Sequence, residues 1–532
     1  MGIIKQIAIQ GYKKFEDFQL SFQKGLNVII GENESGKTTI IEAINIVMNQ
    51  MFKTADKSII EELINRNLLE SFYASPSVGT LPKIIIEIEL DLVDMPEQSE
   101  FYGREYELLN KHGTKTDLFG VAFLCEINET YLPDLLVNIT DGLIPYEYYD
   151  FTWKTFKGKS FLAIKSPVKY LAINVSESSS SSSFNYYNKK IFGNTYSESE
   201  KLKYKSNFRE NVKKAFSNVA IDNIDDDKKF VVDNKRIILE NILQITEKGI
   251  ALENKGKGRE NLIKTQIALD KSNKRTEVVS IEEPENHLSH TNLRKMIFDL
   301  QEHKDNKQLI ITTHNSLIVG NLGLKNVIWI HGNKGTSLSD IPDDTALYFS
   351  KLDNSSLLQF LLAEKVIIVE GATEYLLLPE LYKATYPGSS LEADKIDIIS
   401  CNGLSYKRYL DIASKTNNKV VVITDNDRNQ ENVTFMDTHN SENVESHIFM
   451  STDISDNGWT WEANIYFLNN VLLNNIIDIE DGAKYSYNGK CYDPHLGKML
   501  NNKVETAYQL LPSVGELKLP QYIKDAFEWI KS

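Results

Sequence analysis

Cysteine is scarce in this 532-residue sequence, which holds three: Cys125, Cys401 and Cys491. They are scattered and odd in number, so they form neither a disulfide framework nor a zinc-binding spacing. Both absences are typical of a protein kept in a reducing compartment. We therefore expect a cytoplasmic protein without structural disulfides.

Long apolar runs and an excess of basic residues are also missing. No run approaches the roughly 20 apolar residues that a membrane-spanning helix needs, and residues 3–9 look like a first strand rather than a signal peptide. No membrane partner is expected. The formal net charge of −15 argues against a protein coated with basic patches for nucleic acid. It does not exclude DNA, because bound cations neutralise clustered metal-site carboxylates and a binding face is local.

The length exceeds what one hydrophobic core supports, so two or three domains are expected. No repeat with a fixed period is visible. The pattern changes after about residue 150, where a serine run and many tyrosines and lysines occur. The predicted parts are 1–150 as the N-terminal part of a first domain, 151–250 as an insertion for dimerisation or partner binding, 251–350 as the rest of the first domain, and 361–532 as a second domain.

The segment Gly31–Thr38 matches the phosphate-binding pattern G-x-x-x-x-G-K-[ST] in full. It follows the apolar run Leu26–Ile30 and precedes the helix-compatible Thr39–Met48, which is the context the motif requires. Backbone N–H groups cradle the phosphates, Lys37 reaches the β- and γ-phosphate oxygens, and Thr38 ligates Mg²⁺. The predicted nucleotide-binding residues of this loop are Gly31, Asn33, Ser35, Gly36, Lys37, Thr38 and Thr39.

A second strand-like run, Val278–Ile281, ends in Glu282 and Glu283. We expect Glu282 to hold the Mg²⁺ through water and Glu283 to orient or deprotonate the attacking water. His314 follows the apolar run Leu309–Ile311 and is predicted to contact the γ-phosphate. A purely structural histidine is the alternative.

Two further β-branched runs end abruptly in carboxylates. Val366–Val369 leads to Glu370, and Val420–Ile423 leads to Asp425 and Asp427. Such runs predict buried parallel strands, whose carboxyl ends share one edge of a sheet, so the three acids should surround one point. Carboxylates that close repel one another unless hard cations such as Mg²⁺ or Mn²⁺ lie between them. The alternative is that they are ordinary solvated acids at the starts of loops.

Taken together, these motifs resemble a known family. The P-loop, the Glu282–Leu288 segment and the Thr312–Ser316 segment resemble ABC-type ATPases of the SMC/RecF group, and Glu370–Glu374 with Asp425–Asp427 resembles a Toprim domain. That order is similar to the OLD (overcoming lysogenization defect) family of ATP-dependent nucleases, which includes the Gabija nuclease subunit and retron-associated effectors. The implied fold class is α/β: an ABC-type P-loop ATPase domain with a helical or irregular insertion, followed by a Rossmann-like Toprim domain with a central parallel sheet.

The resemblance implies a two-metal phosphodiesterase site. Two cations can activate water and neutralise the leaving oxygen of a phosphodiester, and Gly403 is expected to permit a tight turn nearby. For two residues of the set that follows, Glu462 and Lys503, the alternative is an ordinary charged side chain on the surface. The implied catalytic set is Glu370 and Asp425 for one metal ion, Glu374, Asp427 and Glu462 for the second, and Lys503 for the charge of the scissile phosphate.

Two features depart from the family pattern. Glu282 stands where the family usually has Asp, which predicts looser metal geometry and slow hydrolysis. The segment Asn254–Arg259 is the only candidate for the ABC signature, and its alternative is a flexible basic glycine loop. Because that signature completes the partner subunit's site in ABC pairs, the resemblance implies a homodimer, with a dimer of dimers as a further option.

We therefore expect a nucleotide-regulated, divalent-metal-dependent DNA endonuclease that uses ATP and Mg²⁺ or Mn²⁺. The resemblance adds a role in anti-phage defence and an operon partner such as a helicase, or a reverse transcriptase with its nucleic acid. One alternative is a non-cutting SMC/RecF-like ATPase that senses or clamps DNA in repair or signalling. Another is a topoisomerase or primase, but the sequence has no zinc spacing and no separate domain for a nucleophilic tyrosine.

Overall fold

The computed structural model describes residues 2–53, 55–92, 96, 99–109, 116–174, 181–217, 223–225, 228–229, 237–270, 276–303, 306–351, 355–401, 405–416, 418–442, 447–455, 458–480 and 485–532. The chain divides into two compact units, Met1–Leu322 with Asn326–Ser337, and Gly323–Lys325 with Leu338–Ser532. Within the described ranges, no helix is long and apolar enough to cross a membrane.

The first unit is an α/β structure. Its strands in the described ranges are β1 (Gly2–Tyr12), β2 (Phe15–Ser21), β3 (Leu26–Gly31), β4 (Ile84–Leu92), β5 (Tyr102–Gly103), β6 (Leu118–Ile127), β7 (Tyr149–Thr155), β8 (Tyr170–Asn174), β9 (Asn223–Asp225), β10 (Lys228–Lys229), β11 (Thr246–Glu247), β12 (Ile250–Ala251), β13 (Val278–Glu282), β14 (Gln308–Thr312), β15 (Val327–His331) and β16 (Lys334–Ser337). Its α-helices there are α1 (Lys37–Asn49), α2 (Ile60–Leu63), α3 (Arg66–Ala74), α4 (Leu132–Thr140), α5 (Ser181–Thr195), α6 (Glu198–Ser217), α7 (Leu239–Ile242), α8 (Lys257–Leu269), α9 (His290–His303) and α10 (Ser316–Leu322).

Two sheets form the frame of this unit. One is antiparallel, with strand order β2-β1-β4-β6-β5 and β7 beside β6. The other has the order β16-β15-β3-β14-β13-β8 and is parallel except for the β15–β16 pair. All six residues of β3 are buried, as its apolar sequence predicts for a covered central strand. Helix α1 lies in the main hydrophobic core, where Ile40 and Ile44 join side chains from both sheets.

The region expected to be an insertion, 151–250, contains part of this frame. Strands β7 and β8 belong to the two sheets, and β8 pairs in parallel with β13. Helices α5 and α6 follow, and the Tyr187 hydroxyl of α5 donates to the Lys264 carbonyl of α8 at 2.8 Å. Residues 149–155 and 170–174 are therefore sheet strands of the first unit: their backbones pair with β6 and β13, and Tyr149, Trp153 and Tyr170 lie in the main hydrophobic core.

The main segment of the second unit starts at Leu338, so this compact unit includes two helices that begin before residue 361, the expected start of the second domain. Its strands in the described ranges are β17 (Lys365–Val369), β18 (Ile396–Ser400), β19 (Lys419–Ile423), β20 (Ile448–Ser451), β21 (Ser486–Tyr487) and β22 (Lys490–Cys491). Its α-helices there are α11 (Asp343–Lys351), α12 (Ser355–Leu362), α13 (Ala372–Thr385), α14 (Tyr406–Ala413), α15 (Gln430–Glu442), α16 (Trp461–Ile476), α17 (Pro494–Asn501), α18 (Lys503–Leu510) and α19 (Gln521–Lys531).

The central sheet of the second unit is parallel, with the order β18-β17-β19-β20. Strands β17 and β19 are neighbours, and their last paired residues are Val369 and Ile423. The residues that follow these two strands therefore leave the sheet side by side at its carboxyl edge. A core of side chains from β17, β19 and α13, α16, α17, α18 and α19 supports this edge.

Candidate functional sites

A cleft of about 330 Å³ lies at the phosphate-binding loop, which follows β3. The loop turns through Gly36 at a φ of 100°, in the left-handed region, and a Cβ there would lie 2.4 Å from the Phe15 ring, so only glycine fits. Gly31, Ser35 and Glu282, predicted for this site, are buried and do not line the cleft. The lining residues are Lys14, Asn33, Glu34, Gly36, Lys37, Thr38, Thr39, Glu283 and His314.

The Lys37 side chain is buried and folded back on the loop. Its Nζ donates to the carbonyl oxygens of Gly31 at 2.9 Å and Glu32 at 2.7 Å. Burial lowers the pKa of Lys37 to about 8, and the nearby carboxylates of Glu283 and Glu282 oppose that shift. A phosphate bound in the cleft would give the Lys37 ammonium an anionic hydrogen-bond partner in place of these two backbone carbonyls.

Glu283 and His314 face each other across the cleft. The Glu283 N–H donates to the Thr312 carbonyl at 2.9 Å, and its Oε2 accepts from the Asn286 amide at 2.7 Å. Its Oε1 lies 3.7 Å from His314 Nε2. Burial lowers the pKa of His314, and the Lys37 charge lowers it further, so the imidazole is neutral at pH 7. The structure thus brings together the two residues predicted to act at the γ-phosphate.

Glu285 is a part of this site to which the sequence analysis assigned no role. Its Oε1 accepts from the Thr313 hydroxyl at 2.6 Å and from the His314 N–H at 2.9 Å. Burial raises the pKa of Glu285. In the sequence, the feature that could have indicated a role for Glu285 is its position as the third acid of the short segment that holds Glu282 and Glu283. Glu285 ties that segment to the backbone of His314.

Glu282 ends β13 but its buried side chain lines a different, smaller cavity of about 120 Å³ beside α1, β8 and α5. Its predicted contact with Mg²⁺ through water therefore stays a prediction. The signature-like segment Asn254–Arg259 forms the start of α8, with Gly256 at the N-cap. Lys255 and Arg259 both pair with Glu247, at 3.0 and 2.5 Å. The segment therefore leads into the N-terminus of a helix, which is the position that the ABC signature requires.

In the second unit, Glu370 and Asp425 meet at the ends of β17 and β19. The Asp425 N–H donates to Glu370 Oε1 at 3.2 Å, and the Thr424 hydroxyl donates to the same oxygen. The strand-end carboxylates predicted from two β-branched runs are therefore direct neighbours. Thr424, which the sequence analysis did not single out, orients the Glu370 carboxylate.

Glu374 lies in the first turn of α13 and is buried. A Cβ at Gly371 would lie 2.9 Å from Glu374 Oε2, so the missing side chain leaves room for this carboxylate over the helix start. The close approach explains why glycine follows Glu370 in this motif. Glu374 therefore shares the carboxyl edge with Glu370, as its spacing of four residues predicts.

Helices α16 and α18 bring the last two predicted residues to the same edge. The Trp461 N–H at the start of α16 donates to Asp425 Oδ1 at 2.8 Å. The next residue, Glu462, is buried and pairs through Oε2 with Lys503 Nζ at 3.0 Å. Burial alone would lower the pKa of Lys503, but the carboxylates of Glu462 and Asp425 outweigh burial and raise it.

The electrostatics show that these groups form one cluster. Burial, followed by the charge of Asp427, raises the pKa of Glu370 to about 7. Burial, followed by the charge of Glu462, raises the pKa of Glu374 to about 7, and the pKa of Asp425 rises well above its ordinary value for the same kind of reason. Asp427 is exposed at the rim. We call Glu370, Glu374, Asp425, Asp427 and Glu462 the acid cluster.

The donors of the acid cluster suit a hard divalent cation, which prefers carboxylate oxygens. Among the described residues, no three acid, imidazole or thiol side chains converge closely enough, as they stand, to ligate one ion. The raised pKa values of Glu370, Glu374 and Asp425 mean that ionising these three carboxyls is unfavourable in the absence of a cation. A bound cation would remove that penalty. Gly403, the predicted turn residue, lies outside the described residues.

Tyr522 of α19 is a further residue that sequence reasoning missed. Its pKa is raised well above the ordinary value, first by burial and then by the charges of Asp425 and Glu374. The neighbouring strand β20 is tied to it, since the Ser451 hydroxyl donates to the Tyr522 carbonyl at 2.7 Å. No motif near the end of the chain signals that this tyrosine lies close to strand ends about 100 residues earlier.

Comparisons with known proteins match both units. Residues 3–319 match the family described as AAA ATPase domain. Residues 361–427 match the family described as overcoming lysogenization defect protein-like, TOPRIM domain. The predicted fold class is thereby confirmed: an α/β P-loop ATPase domain is followed by a Toprim domain with a parallel sheet.

Curated relatives match only a short part of the chain. The DNA replication and repair protein RecF of Bacillus cytotoxicus is 44% identical over 61 residues, which are 12% of this chain and 16% of that protein. RecF of Lactococcus lactis subsp. cremoris is 33% identical over 78 residues, which are 14% of this chain and 22% of that protein. The chain thus spans less than a quarter of the length of these relatives.

Solved structures give weak matches. A RecF–ATP structure is 12% identical with a TM-score of 0.34, covering 63% of this chain and 99% of that chain. The C-terminal region of the Xanthomonas campestris pv. campestris OLD protein is 17% identical with a TM-score of 0.23, covering 32% of this chain and 92% of that chain.

The family match rests on the larger unit, since residues 3–319 are more than half of the 532 residues. The described geometry agrees with it, because a complete phosphate-binding loop lies between a buried central strand and a helix. The chain belongs to the AAA ATPase domain family, and after that domain it carries a TOPRIM domain like those of overcoming lysogenization defect proteins.

Proposed function

We propose that this protein is a nucleotide-regulated, divalent-metal-dependent DNA endonuclease. The observation that carries the proposal is the acid cluster with Lys503 at the carboxyl edge of β17 and β19. Carboxylates with raised pKa values that lie together beside a lysine are typical of functional sites, where they bind cations or act on phosphates, and are a costly choice for packing alone. The match to an OLD-like TOPRIM domain supports the same assignment.

The acid cluster would hold two divalent cations, which when bound activate a water molecule and neutralise the leaving oxygen of a phosphodiester. The chain's own groups prepare the site. The Thr424 hydroxyl and the Asp425 N–H orient the Glu370 carboxylate, and the Trp461 N–H orients Asp425. Lys503 stays protonated because its pKa is raised, and it is the group available to the charge on the scissile phosphate.

The nucleotide site would regulate this centre. Lys37 would leave its two backbone carbonyls for the β- and γ-phosphate oxygens, and the exposed Thr38 hydroxyl would ligate Mg²⁺. Glu283 and the neutral His314 would face the attacking water and the γ-phosphate. Glu282 would reach the ion through water, and its extra methylene relative to Asp predicts slow hydrolysis.

We also propose a homodimer that forms when ATP is bound, with a dimer of dimers as the next order. The helical start at Gly256 gives the signature-like segment the context that ABC pairs use to complete a partner's site. Light scattering on the full chain with and without ATP tests this assembly. Glu283→Gln, which would slow hydrolysis, is expected to increase the dimer fraction in ATP. A monomer under all these conditions would contradict the proposal.

Anti-phage defence is the biological role that the OLD-like match supports. An operon partner, such as a helicase or a reverse transcriptase with its nucleic acid, belongs to the same proposal. The test is the plaque count of a phage panel on cells that express the chain with its neighbouring genes. Protection is expected to be lost in Asp425→Ala. Equal plaque counts with and without the chain across the panel would contradict the role.

The nuclease assay uses the purified full chain, supercoiled plasmid and Mg²⁺ or Mn²⁺, with and without ATP. We expect nicked or linear product that disappears in Asp425→Ala, which loses a central acid of the cluster. Asp437→Ala removes an exposed acid of the same unit and is the matched control. Lys37→Ala should cut but lose its response to ATP.

The outcomes separate the proposal from its alternative. No cutting under any of these conditions, with DNA binding and ATP hydrolysis retained, would support a non-cutting ATPase that senses or clamps DNA. Cutting that survives Asp425→Ala would place the active centre elsewhere. A DNA substrate is supported by relatives named as DNA replication and repair proteins.

A further inference from the structure

The turn that follows β19 presents one cationic side chain beside the acid cluster. Asp427 and Arg428 are consecutive residues in the left-handed region, with φ values of 53° and 58°. Non-glycine residues adopt this region rarely, so two in succession require outside support. The buried side chain of Asn426 supplies it.

Both the oxygen and the nitrogen of the Asn426 side-chain amide form hydrogen bonds that hold the turn. Its Oδ1 accepts from the Arg428 N–H at 2.8 Å. Its Nδ2 donates to three backbone carbonyls between residues 453 and 458, at 2.7, 3.2 and 3.3 Å. The Asp427 N–H in turn donates to the Trp459 carbonyl at 3.1 Å. The direction in which Arg428 leaves the backbone is therefore fixed by hydrogen bonds.

The Arg428 side chain is held as well, although it is exposed. Its guanidinium carbon lies 4.4 Å from the centroid of the Trp459 ring. Trp459 is buried, and its ring neighbours are those of Tyr487 at 6.0 Å and Tyr492 at 5.8 Å. Cation–π attraction holds a guanidinium over an aromatic face without using its N–H groups, which stay available as donors.

Arg428 also differs from the other arginine of its unit in its ion pairing. The second unit contains two arginines in residues 338–532, and the other, Arg408, is paired with Asp344. Among the residues that the structure describes, Arg428 has no ion-pair partner. It is next in sequence to Asp427, whose charge contributes to raising the pKa of Glu370. An oriented guanidinium is thus available at the rim of the acid cluster.

We infer that Arg428 binds a backbone phosphate of the DNA strand next to the scissile phosphate, with Trp459 as its support. The inference rests on the proposed function. The cations that the acid cluster would hold act at the scissile phosphate. A flanking phosphate therefore needs a separate, positively charged side chain that does not take part in metal binding. The planar guanidinium is suited to this, because it can donate two parallel hydrogen bonds to one phosphate.

The test measures DNA affinity and its salt dependence in the full chain. All proteins carry Asp425→Ala so that a fluorescein-labelled duplex remains intact in Mg²⁺, and anisotropy gives Kd between about 50 and 200 mM salt. Arg428→Ala should weaken binding roughly tenfold and reduce the slope of log K against log salt by about 0.9, the value for one phosphate contact. Arg428→Lys should keep the slope but recover only part of the affinity, since an ammonium has no fork and no planar face.

The matched control is Lys415→Ala, which removes an exposed positive charge shortly before β19 begins, at the opposite edge of the sheet. It should leave both Kd and slope unchanged. In the otherwise unmodified, cutting protein, Arg428→Ala should raise KM for plasmid about tenfold with kcat little changed. Arg428→Ala with an unaltered Kd, slope and KM would overturn the inference while the nuclease proposal stood. Absence of both DNA binding and cutting in the unmodified chain would overturn both.

Discussion

Replacing Glu374 by Gln should stabilise the second unit at pH 8 and have a much smaller effect at pH 5. Burial, followed by the charge of Glu462, raises the pKa of this carboxyl from 4.5 to about 7 in the folded chain. The folded state therefore binds more protons than the unfolded state between these values. The stability that protonated Glu374 provides is complete below pH 4.5 and is lost as pH rises through 7.

The magnitude follows from the two pKa values. The rise from 4.5 to about 7, at about 1.4 kcal/mol per pKa unit, corresponds to an ionisation penalty on the order of 3 kcal/mol at pH 8. The side chain is 6% exposed, so solvent screens this penalty little. Gln removes the charge but also its attraction to Lys503, so we expect a net gain of roughly 1 to 3 kcal/mol.

The assay is native-state hydrogen exchange of the buried amides in β17 and β19, measured in EDTA at pH 5 and pH 8. It reports the opening free energy of the second unit without requiring two-state unfolding of the whole chain. Glu380→Gln, at a half-exposed position on the same helix, is the matched control and should give no gain. Mg²⁺ added at pH 8 should stabilise the unmodified protein more than Glu374→Gln.

Two results would refute the reasoning. One is a gain in Glu374→Gln that is the same at pH 5 and pH 8, because such a gain would come from packing rather than from ionisation. The other is a loss of stability at pH 8, which would mean that the attraction between Glu374 and Lys503 exceeds the penalty of burial.

Three further predictions concern single positions. Gly36→Ala would force a side chain into the left-handed loop, at a strain of about 1–3 kcal/mol, and should weaken ATP binding roughly tenfold or more by calorimetry. Lys503→Gln would leave buried Glu462 without its cation, and hydrogen exchange should show a loss of roughly 1–3 kcal/mol, less than for a fully buried pair because the lysine is half-buried. Of the three thiols, Cys491 is exposed while burial raises the pKa of the other two to about 12, so a disulfide reagent should modify one thiol in native protein and three after denaturation.

The features that the sequence predicted well are those carried by short contiguous segments. The phosphate-binding loop between β3 and α1 could be located from its residues, because glycine positions and helix starts are local properties. The adjacency of Glu370 and Asp425 was also predictable, since both follow β-branched runs and parallel strands share a carboxyl edge.

Other features depend on pairings across the chain. Strands β7 and β8 were expected in an insertion, yet β7 pairs with the preceding strand β6, and β8 pairs with β13, which is distant in sequence. Their apolar residues are compatible with a surface insertion or with a sheet. Which of the two forms depends on whether a neighbouring strand offers free backbone N–H and C=O groups to pair with. The start of the second unit at Leu338 has the same cause, because α11 and α12 carry no motif and are assigned by their packing.

The sequence by itself determined that the chain has a complete phosphate-binding loop and two strand-end acid motifs, because these are patterns of residue type at fixed spacing. Only the tertiary structure decided which distant groups join them. Three contacts bring together elements of the second unit that are separate in sequence: Lys503 pairs with Glu462, the Trp461 N–H donates to Asp425, and the Arg428 guanidinium lies over the Trp459 ring. Burial in the folded unit also raises the pKa values of Glu370, Glu374 and Asp425, because desolvation is a property of the packed core and not of any single segment.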